Sequence, residues 1–182
     1  MKKLISLVAF ALLLNTFAYA QTTSQVKLFC DKTQSSITYS MHHPLHSWTG
    51  ENKDVTSIIL TDENRNLISQ VAVSVKISSF DSKNANRDSH VMEVSEALTF
   101  PVVTFTSTSI KQESNKLVVT GNLKFHGVSQ PITFEAEKTM INNKAEISGN
   151  FIVKMTQFQI KPPTLMGIAT DDDIKMEFKV IY

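Results

Sequence analysis

Apolar residues recur at every second position over most of the chain. In the segment 71–77, three valines and an isoleucine alternate with small or polar residues, which is typical of a strand with one buried face. The segment after Pro101 alternates valine, threonine and phenylalanine in the same way. Five further runs repeat the period: Ile37, Tyr39 and Met41; Leu117, Val119, Leu123 and Phe125; Ile132, Phe134 and Ala136; Ala145, Ile147, Phe151 and Val153; and Ile174, Met176, Phe178 and Val180.

Turn-forming residues separate these runs, at 62–66, 113–115, 127–131 and 142–143. Connections this short join antiparallel neighbours. Eight or so antiparallel strands either close into a barrel or pair as two sheets, because open edges invite aggregation. The pattern therefore predicts one all-β domain with a single buried face, and leaves both architectures open.

One segment, 84–98, is predicted to be a short helix. Val91, Val94 and Leu98 are spaced three and four apart, and Phe100 and Pro101 close the segment before the next strand.

Three polar residues, Arg87, Asp88 and His90, lie at the start of this helix. Arg87 and Asp88 can pair across one turn, and Asp88 can face the positive end of the helix, which would be ordinary capping. If the three converge instead on the rim of an apolar cavity, they can meet a ligand headgroup. The spacing allows both interpretations.

The N-terminus resembles a secretory leader. Two lysines and a short apolar stretch precede Ala18-Tyr19-Ala20, the small-x-small pattern that a signal peptidase cleaves. We therefore expect residues 1–20 to be a signal peptide and residues 21–182 to be one exported domain, either periplasmic or secreted. The apolar stretch is shorter than the 20 or so residues of a transmembrane helix, so we expect no stable membrane insertion.

Charge and cysteine content narrow the class further. Without the two leader lysines, the 18 basic residues fall to 16 against 17 acidic ones, which gives no electrostatic case for binding nucleic acid. A single cysteine, Cys30, cannot form an intramolecular disulfide, so burial must stabilise the exported domain.

Motifs for catalysis are missing from the sequence. The five glycines are scattered, no Gly-x-Ser-x-Gly segment occurs, and Cys30 has no histidine near it in sequence. We therefore predict a protein that is not an enzyme and carries no cofactor other than a bound lipid or quinone.

Two segments carry potential metal ligands. His42, His43 and His46 could hold zinc or copper, with His42 and His46 on one face of an extended segment, but Pro44 interrupts the strand and favours loop histidines. The run 171–173 offers three aspartates without the spacing of a calcium loop, so a solvated strand start is favoured. We predict no metal site and keep the histidine cluster as an alternative.

Two blocks in the sequence resemble the paired signature of the YceI-like family: "NANRDSHVMEVSEALTFPVVTFTST" and "VTGNLKFHGVSQPITFEAE". The family pattern runs Arg-Asp-x-His, aromatic-Pro-x-x-Thr-Phe-x-Ser and Thr-Gly-x-Leu-x-x-x-Gly-Val-x-x-Pro. The matching residues are Arg87, Asp88, His90, Phe100, Pro101, Thr104, Phe105, Ser107, Thr120, Gly121, Leu123, Gly127, Val128 and Pro131. Weaker similarity extends from about Phe29 to the end.

The resemblance implies a single antiparallel, eight-stranded, lipocalin-like barrel that sequesters or carries an isoprenoid-type amphiphile, such as a quinone or a polyprenyl phosphate. A barrel of this size has room for packed side chains or for one slender ligand. The expected apolar contacts of the tail are Val73, Val75, Phe105, Leu123, Phe125, Phe134, Ile147, Phe151, Met176 and Phe178. Arg87, Asp88 and His90 would meet the headgroup or brace the helix.

The sequence is compatible with three further possibilities. A homodimer is compatible with the sequence. A metal-binding or redox auxiliary protein would use the histidine cluster, and an envelope protein-interaction module would have a solid core. The same inward residues could fill such a core, because side chains in protein interiors are close-packed.

Overall fold

A computed structural model describes residues 24–182, which form a nearly all-β domain with one α-helix. The predicted signal peptide lies outside the described residues. The strands of the described part are β1 (Gln25–Phe29), β2 (Ser36–His43), β3 (His46–Asn52), β4 (Thr56–Asp62), β5 (Ile68–Lys76), β6 (Phe80–Asp81), β7 (Val102–Glu113), β8 (Lys116–Phe125), β9 (Val128–Ile141), β10 (Lys144–Lys154), β11 (Thr164–Leu165), β12 (Ile168–Ala169) and β13 (Asp173–Ile181). The helix α1 spans Ala85–Val94, and short 3-10 helices span Ile77–Ser79 and Met155–Phe158.

Eleven strands form one antiparallel sheet in the order β1-β4-β5-β7-β8-β9-β10-β13-β2-β3-β6, and β11 pairs with β12 in a separate ribbon. The sheet curls until its two ends meet. Asn52 on β3, near one edge, donates its side-chain N–H to the Lys76 carbonyl at the end of β5, near the other edge, at 2.9 Å. This confirms the predicted antiparallel, lipocalin-like barrel.

The predicted number of strands is too low. The described part has nine strands of seven or more residues, with the short β1 and β6 at the sheet edges. The period-2 signal misses β3 because its fully buried positions are Gly50 and Asn52 and not apolar residues. A strand whose inward side chains are small or polar carries no hydrophobic alternation.

The β8–β9 turn is shorter than predicted. It consists of His126 and Gly127, which have φ angles of 49° and 75°, and β9 already begins at Val128. Two successive positive φ angles belong to the tight turn that matches the twist of a hairpin. Pro131, which we expected in the turn, therefore lies inside β9, where it pairs with Asn122.

Helix α1 begins where predicted and ends one turn early. The side chain of Asn84 accepts a hydrogen bond from the Arg87 backbone N–H at 3.1 Å, which caps the N-terminus. Glu96 takes a left-handed conformation with φ 46°, so the helix cannot continue to residue 98. Leu98 is consequently 95% exposed and does not belong to the apolar face that we predicted.

The helices of residues 24–182 include none with the length and hydropathy to cross a membrane.

Candidate ligand cavity

A cavity of about 250 Å³ lies inside the barrel. One water molecule needs roughly 10–15 Å³ of such volume, so the interior is not filled by side chains. The structure places on its wall all ten apolar residues that we expect to contact a lipid tail: Val73, Val75, Phe105, Leu123, Phe125, Phe134, Ile147, Phe151, Met176 and Phe178. Their contact with a ligand stays a prediction.

Strand register explains why these residues share one cavity. Val73 on β5 pairs with Phe105 on β7, which pairs with Leu123 on β8. Phe151 on β10 likewise pairs with Met176 on β13. Side chains of directly paired residues project from the same face of a sheet, so matched alternation in neighbouring strands lines the interior with apolar groups.

Four phenylalanines form the middle of the wall. The ring centroid of Phe134 lies 5.4 Å from that of Phe105, 5.1 Å from that of Phe151 and 5.6 Å from that of Phe178. Contacts at these distances are in the favourable range for aromatic pairs. The rings therefore fix one another and give this part of the cavity a defined shape.

Paired polar groups seal one end of the barrel. The ammonium of Lys138 donates to the Arg65 carbonyl at 3.0 Å and to the Asn66 carbonyl at 2.6 Å, and burial lowers the pKa of Lys138. The Tyr182 hydroxyl shares a hydrogen bond with Ser57, and burial raises the pKa of Tyr182. Because these buried groups have partners, this end can exclude water without leaving polar atoms unsatisfied.

An ion pair lies outside the same end. The Asp31 carboxylate accepts hydrogen bonds from the Lys144 ammonium at 2.7 Å and from the Thr33 hydroxyl at 2.7 Å. These bonds, with the lysine contributing most, hold the pKa of Asp31 well below its usual 3.8.

Helix α1 lies across the opposite end of the cavity. Val91 and Val94 turn their side chains to the cavity, as does Arg87. The guanidinium carbon of Arg87 lies 5.6 Å from the ring centroid of Trp48, and its Nη1 donates to the Ser82 carbonyl at 3.4 Å. A charged group thus meets the apolar interior where α1 covers it.

The three polar residues of α1 have different surroundings. His90 lines the cavity beside Arg87, and its Nδ1 lies 3.5 Å from a carboxylate oxygen of Glu93. Asp88 accepts a hydrogen bond from the Ser82 backbone N–H at 3.0 Å and so braces the segment before the helix. The ion pair expected between Arg87 and Asp88 is not among those in residues 24–182. A headgroup role for these residues stays a prediction.

The three clustered histidines do not converge. His43 pairs with His46 across the β2–β3 hairpin, and His42 points to the other face of the sheet. The expected shared face of His42 and His46 is therefore wrong, because the turn at Pro44 and Leu45 reverses the chain between them. All three histidines lie in strands and not in a loop.

The ring nitrogens of His42 and His43 already have protein neighbours. His43 is 1% exposed, with Nε2 3.1 Å from the Ile168 carbonyl and Nδ1 accepting from the Leu45 N–H at 3.2 Å. Nδ1 of His42 lies 3.0 Å from an Asp171 carboxylate oxygen. Across residues 24–182, no group of three or more His, Cys, Asp or Glu residues is arranged to hold a metal ion.

Two aspartates of the run 171–173 form hydrogen bonds and an ion pair with other residues of the protein. Asp172 accepts hydrogen bonds from the backbone N–H and the hydroxyl of Thr156 at 2.9 and 2.6 Å. Asp173 begins β13 and pairs with the Lys154 ammonium at 2.6 Å. These carboxylates anchor the second 3-10 helix and the start of β13, in agreement with a strand start.

Sequence reasoning missed two polar residues on the cavity wall. Tyr39 on β2 and Trp48 on β3 both line the cavity. Each buries a hydrogen-bonding atom, the Tyr39 hydroxyl and the Trp48 Nε1, that has no partner in the described part of the chain. Tyr39 appears in the alternation of β2, but only as one apolar position among others. Trp48 lies in the strand that carries no alternation, so no sequence signal identifies it.

Comparison with known proteins places the chain in a family. Residues 29–182 match the model of the YceI-like domain. The chain is 34% identical to Protein YceI of Salmonella agona over 140 residues, which is 75% of this chain and 73% of that protein. The crystal structure of the Campylobacter jejuni YceI protein superposes with a TM-score of 0.64 at 26% identity, covering 78% of this chain and 87% of that one.

A more distant structure has the same fold. A polyisoprenoid binding domain from Saccharophagus degradans superposes with a TM-score of 0.69 at 12% identity, covering 85% of this chain and 96% of that one. The family-model match spans nearly the whole described barrel, and it includes both signature blocks. The chain therefore belongs to the YceI-like family.

Proposed function

We propose that this protein is an exported binding protein that sequesters or carries an isoprenoid-type amphiphile, a quinone or a polyprenyl phosphate, without catalysis. The observation that carries the proposal is the apolar cavity inside the barrel, sealed at one end and covered by α1 at the other. Membership of the YceI-like family and the fold shared with a polyisoprenoid binding domain support it. An export signal at residues 1–20 and a single domain at 21–182 are part of the proposal.

Burial of the tail can supply the affinity by itself. Each buried methylene is worth about 0.8 kcal/mol, so a five-carbon isoprene unit is worth roughly 4 kcal/mol. Association costs an estimated 4–15 kcal/mol in lost freedom. Roughly one to four buried units therefore offset the cost, and a prenyl tail needs no reacting side chain to be held.

The cavity also separates this function from an interaction module with a solid core. A solid core would bring the inward phenylalanines into contact with the side chains opposite them. The structure instead leaves about 250 Å³ between the walls. The feature that most favours an interaction module is the exposed apolar surface of the β11–β12 ribbon, formed by Leu165, Met166 and Ile168.

Native mass spectrometry of the protein purified from its own host tests the proposal. We expect a mass excess that organic extraction removes, and the extract to contain a prenyl lipid. Protein that carries no such excess, and that also fails to take up an added short-chain prenyl quinone, would contradict the proposal. Stoichiometric zinc or copper in the same preparation would favour the histidine-based alternative.

A further inference from the structure

Two buried hydrogen-bond donors on the cavity wall have no hydrogen-bond partner among residues 24–182. The Tyr39 side chain is almost fully buried, and its hydroxyl, which lies near the Trp48 indole N–H, has no hydrogen-bond partner of good geometry among residues 24–182. The indole N–H of Trp48 is also shielded from solvent and unpaired. Buried polar atoms are nearly always paired, and an unpaired one is costly, so two on one wall call for an explanation.

The fold holds these donors in place. Tyr39 pairs with Gly50 across the β2–β3 ladder, and a methyl group added at Gly50 would lie 2.8 Å from the Tyr39 hydroxyl oxygen. Glycine is therefore required for the ring to lie flat against β3. Phe80 packs against the edge of the Tyr39 ring, with centroids 5.4 Å apart. Trp48 is two residues from Gly50 on the same face of β3 and carries the Arg87 guanidinium over its ring.

We propose that Tyr39, Trp48 and Arg87 form a headgroup site that binds a neutral hydrogen-bond acceptor, a carbonyl of the quinone or ketone type, at the end of an apolar tail. The site rests on the proposed function, because the tail would occupy the cavity that these residues line. The ligand would then pair the Tyr39 hydroxyl and the Trp48 indole N–H. Arg87, which already donates to the Ser82 carbonyl, would contribute a further N–H.

The charges around the site favour a neutral headgroup over a phosphate. Among the described residues that line this cavity, Arg87 alone has a permanent positive charge. The Asp88 carboxylate, which faces Tyr39 from a smaller neighbouring cavity, partly offsets the positive charge of Arg87. A phosphate would bring a charge of about −1.5 to −2 into this setting. One partly offset guanidinium is a poor match for that charge, and burying unbalanced charge is unfavourable.

Tyr39 keeps its proton in this environment. Burial raises the pKa of Tyr39 above its usual 10, and the Asp88 carboxylate raises it further, while Arg87 and the nearby Trp48 indole N–H oppose the shift. The side chain is therefore a neutral hydroxyl at physiological pH and can donate to a carbonyl.

Three ligands with a farnesyl-type tail test the site: farnesylacetone as the neutral ketone, farnesyl monophosphate as the anion, and farnesene as the hydrocarbon. Isothermal titration calorimetry should show that the ketone binds at least tenfold more tightly than the other two. Tyr39→Phe and Trp48→Phe should each weaken ketone binding about three- to tenfold, the usual worth of one hydrogen bond, and leave farnesene unchanged. Tyr182→Phe is the matched control, since it removes a buried hydroxyl from the sealed end of the same cavity, and should leave the ketone-to-hydrocarbon ratio unchanged.

Each other outcome overturns the assignment. Equal binding of ketone and farnesene would mean that the wall does not recognise a headgroup, and the proposed function would survive. Tighter binding of the phosphate would mean that the site prefers an anionic headgroup. Unchanged ketone affinity in both phenylalanine variants would exclude Tyr39 and Trp48. If none of the three ligands binds, the proposed function fails together with the headgroup site.

Discussion

Adjacent residues on β10 allow a sharp test of the cavity wall. Phe151 lines the cavity and stacks on Phe134, whereas Ile152 is 56% exposed on the outer face. Phe151→Asp removes an apolar contact worth about 1.5–3 kcal/mol. It also sets an unpaired polar group against the tail, at a further cost of about 1–3 kcal/mol. The combined loss of roughly 2.5–6 kcal/mol corresponds to binding that is weaker by at least about fiftyfold.

The single tryptophan provides the assay, because a bound quinone would quench Trp48 at the cavity wall. We expect a two-isoprene ubiquinone to quench the wild type and Ile152→Asp with equal affinity, and Phe151→Asp only at much higher concentration. Circular dichroism and urea unfolding establish that each variant is folded. Phe105→Asp on β7 provides a second inward change in case Phe151→Asp does not fold. Equal affinity of the inward and outward variants would refute the placement of the tail.

Three further predictions concern the sealed end, its ion pair and the cover. Lys138→Met should lower the free energy of unfolding by about 1.5–3 kcal/mol in urea titrations, because two buried carbonyls lose a charged donor. The control Lys124→Met, on the outer face of β8, should change the free energy of unfolding by less than about 0.5 kcal/mol. Equal effects of the two substitutions would contradict the role of the buried ammonium. Hydrogen bonds from a lysine ammonium depress the folded-state pKa of Asp31, so their contribution to stability should be full above the unfolded value of 3.8 and be lost as the pH falls below it. The difference in Tm between the wild type and Asp31→Asn should accordingly be largest near neutral pH and shrink in acid, and a difference that does not depend on pH would count against this. Val94→Asp should weaken binding of the same quinone at least tenfold and Leu98→Asp should not, since of these two residues only Val94 faces the cavity. A larger effect of Leu98→Asp would indicate that the helix continues to residue 98, as the sequence predicts.

The sequence predicts most of the cavity wall because a strand has only two faces. Once Val73 and Phe105 are assigned to the inner face by alternation, every second residue of their strands follows. The prediction needs no knowledge of strand order, since any antiparallel barrel turns the same face inward. Strand alternation therefore identifies the wall, but it cannot show whether opposite walls touch or leave a cavity.

The features that the sequence does not predict depend on contacts between distant segments. Two inward positions of β3 after Trp48 are small or polar, because Gly50 makes room for Tyr39 and Asn52 donates a hydrogen bond to the end of β5. Neither reason is visible within β3 itself. His43 is similar: its burial follows from the β11–β12 ribbon, whose Ile168 carbonyl lies 3.1 Å away. A local pattern cannot report on a partner that is 125 residues distant.

The cavity that would hold a ligand lowers the stability of the barrel when it is unfilled. At about 24 cal/mol per Å³, an unfilled cavity of this size would cost about 6 kcal/mol, a large share of the roughly 5–15 kcal/mol that stabilises a typical domain. The cost has to be offset by the packed part of the core, whose most buried apolar residues include Ile59, Leu117, Ala145 and Phe158. A tail that fills the cavity restores the missing contacts and adds binding free energy that favours the folded state. Stability and affinity in this fold therefore draw on the same apolar surface, so a wall residue cannot be changed to tune one without altering the other.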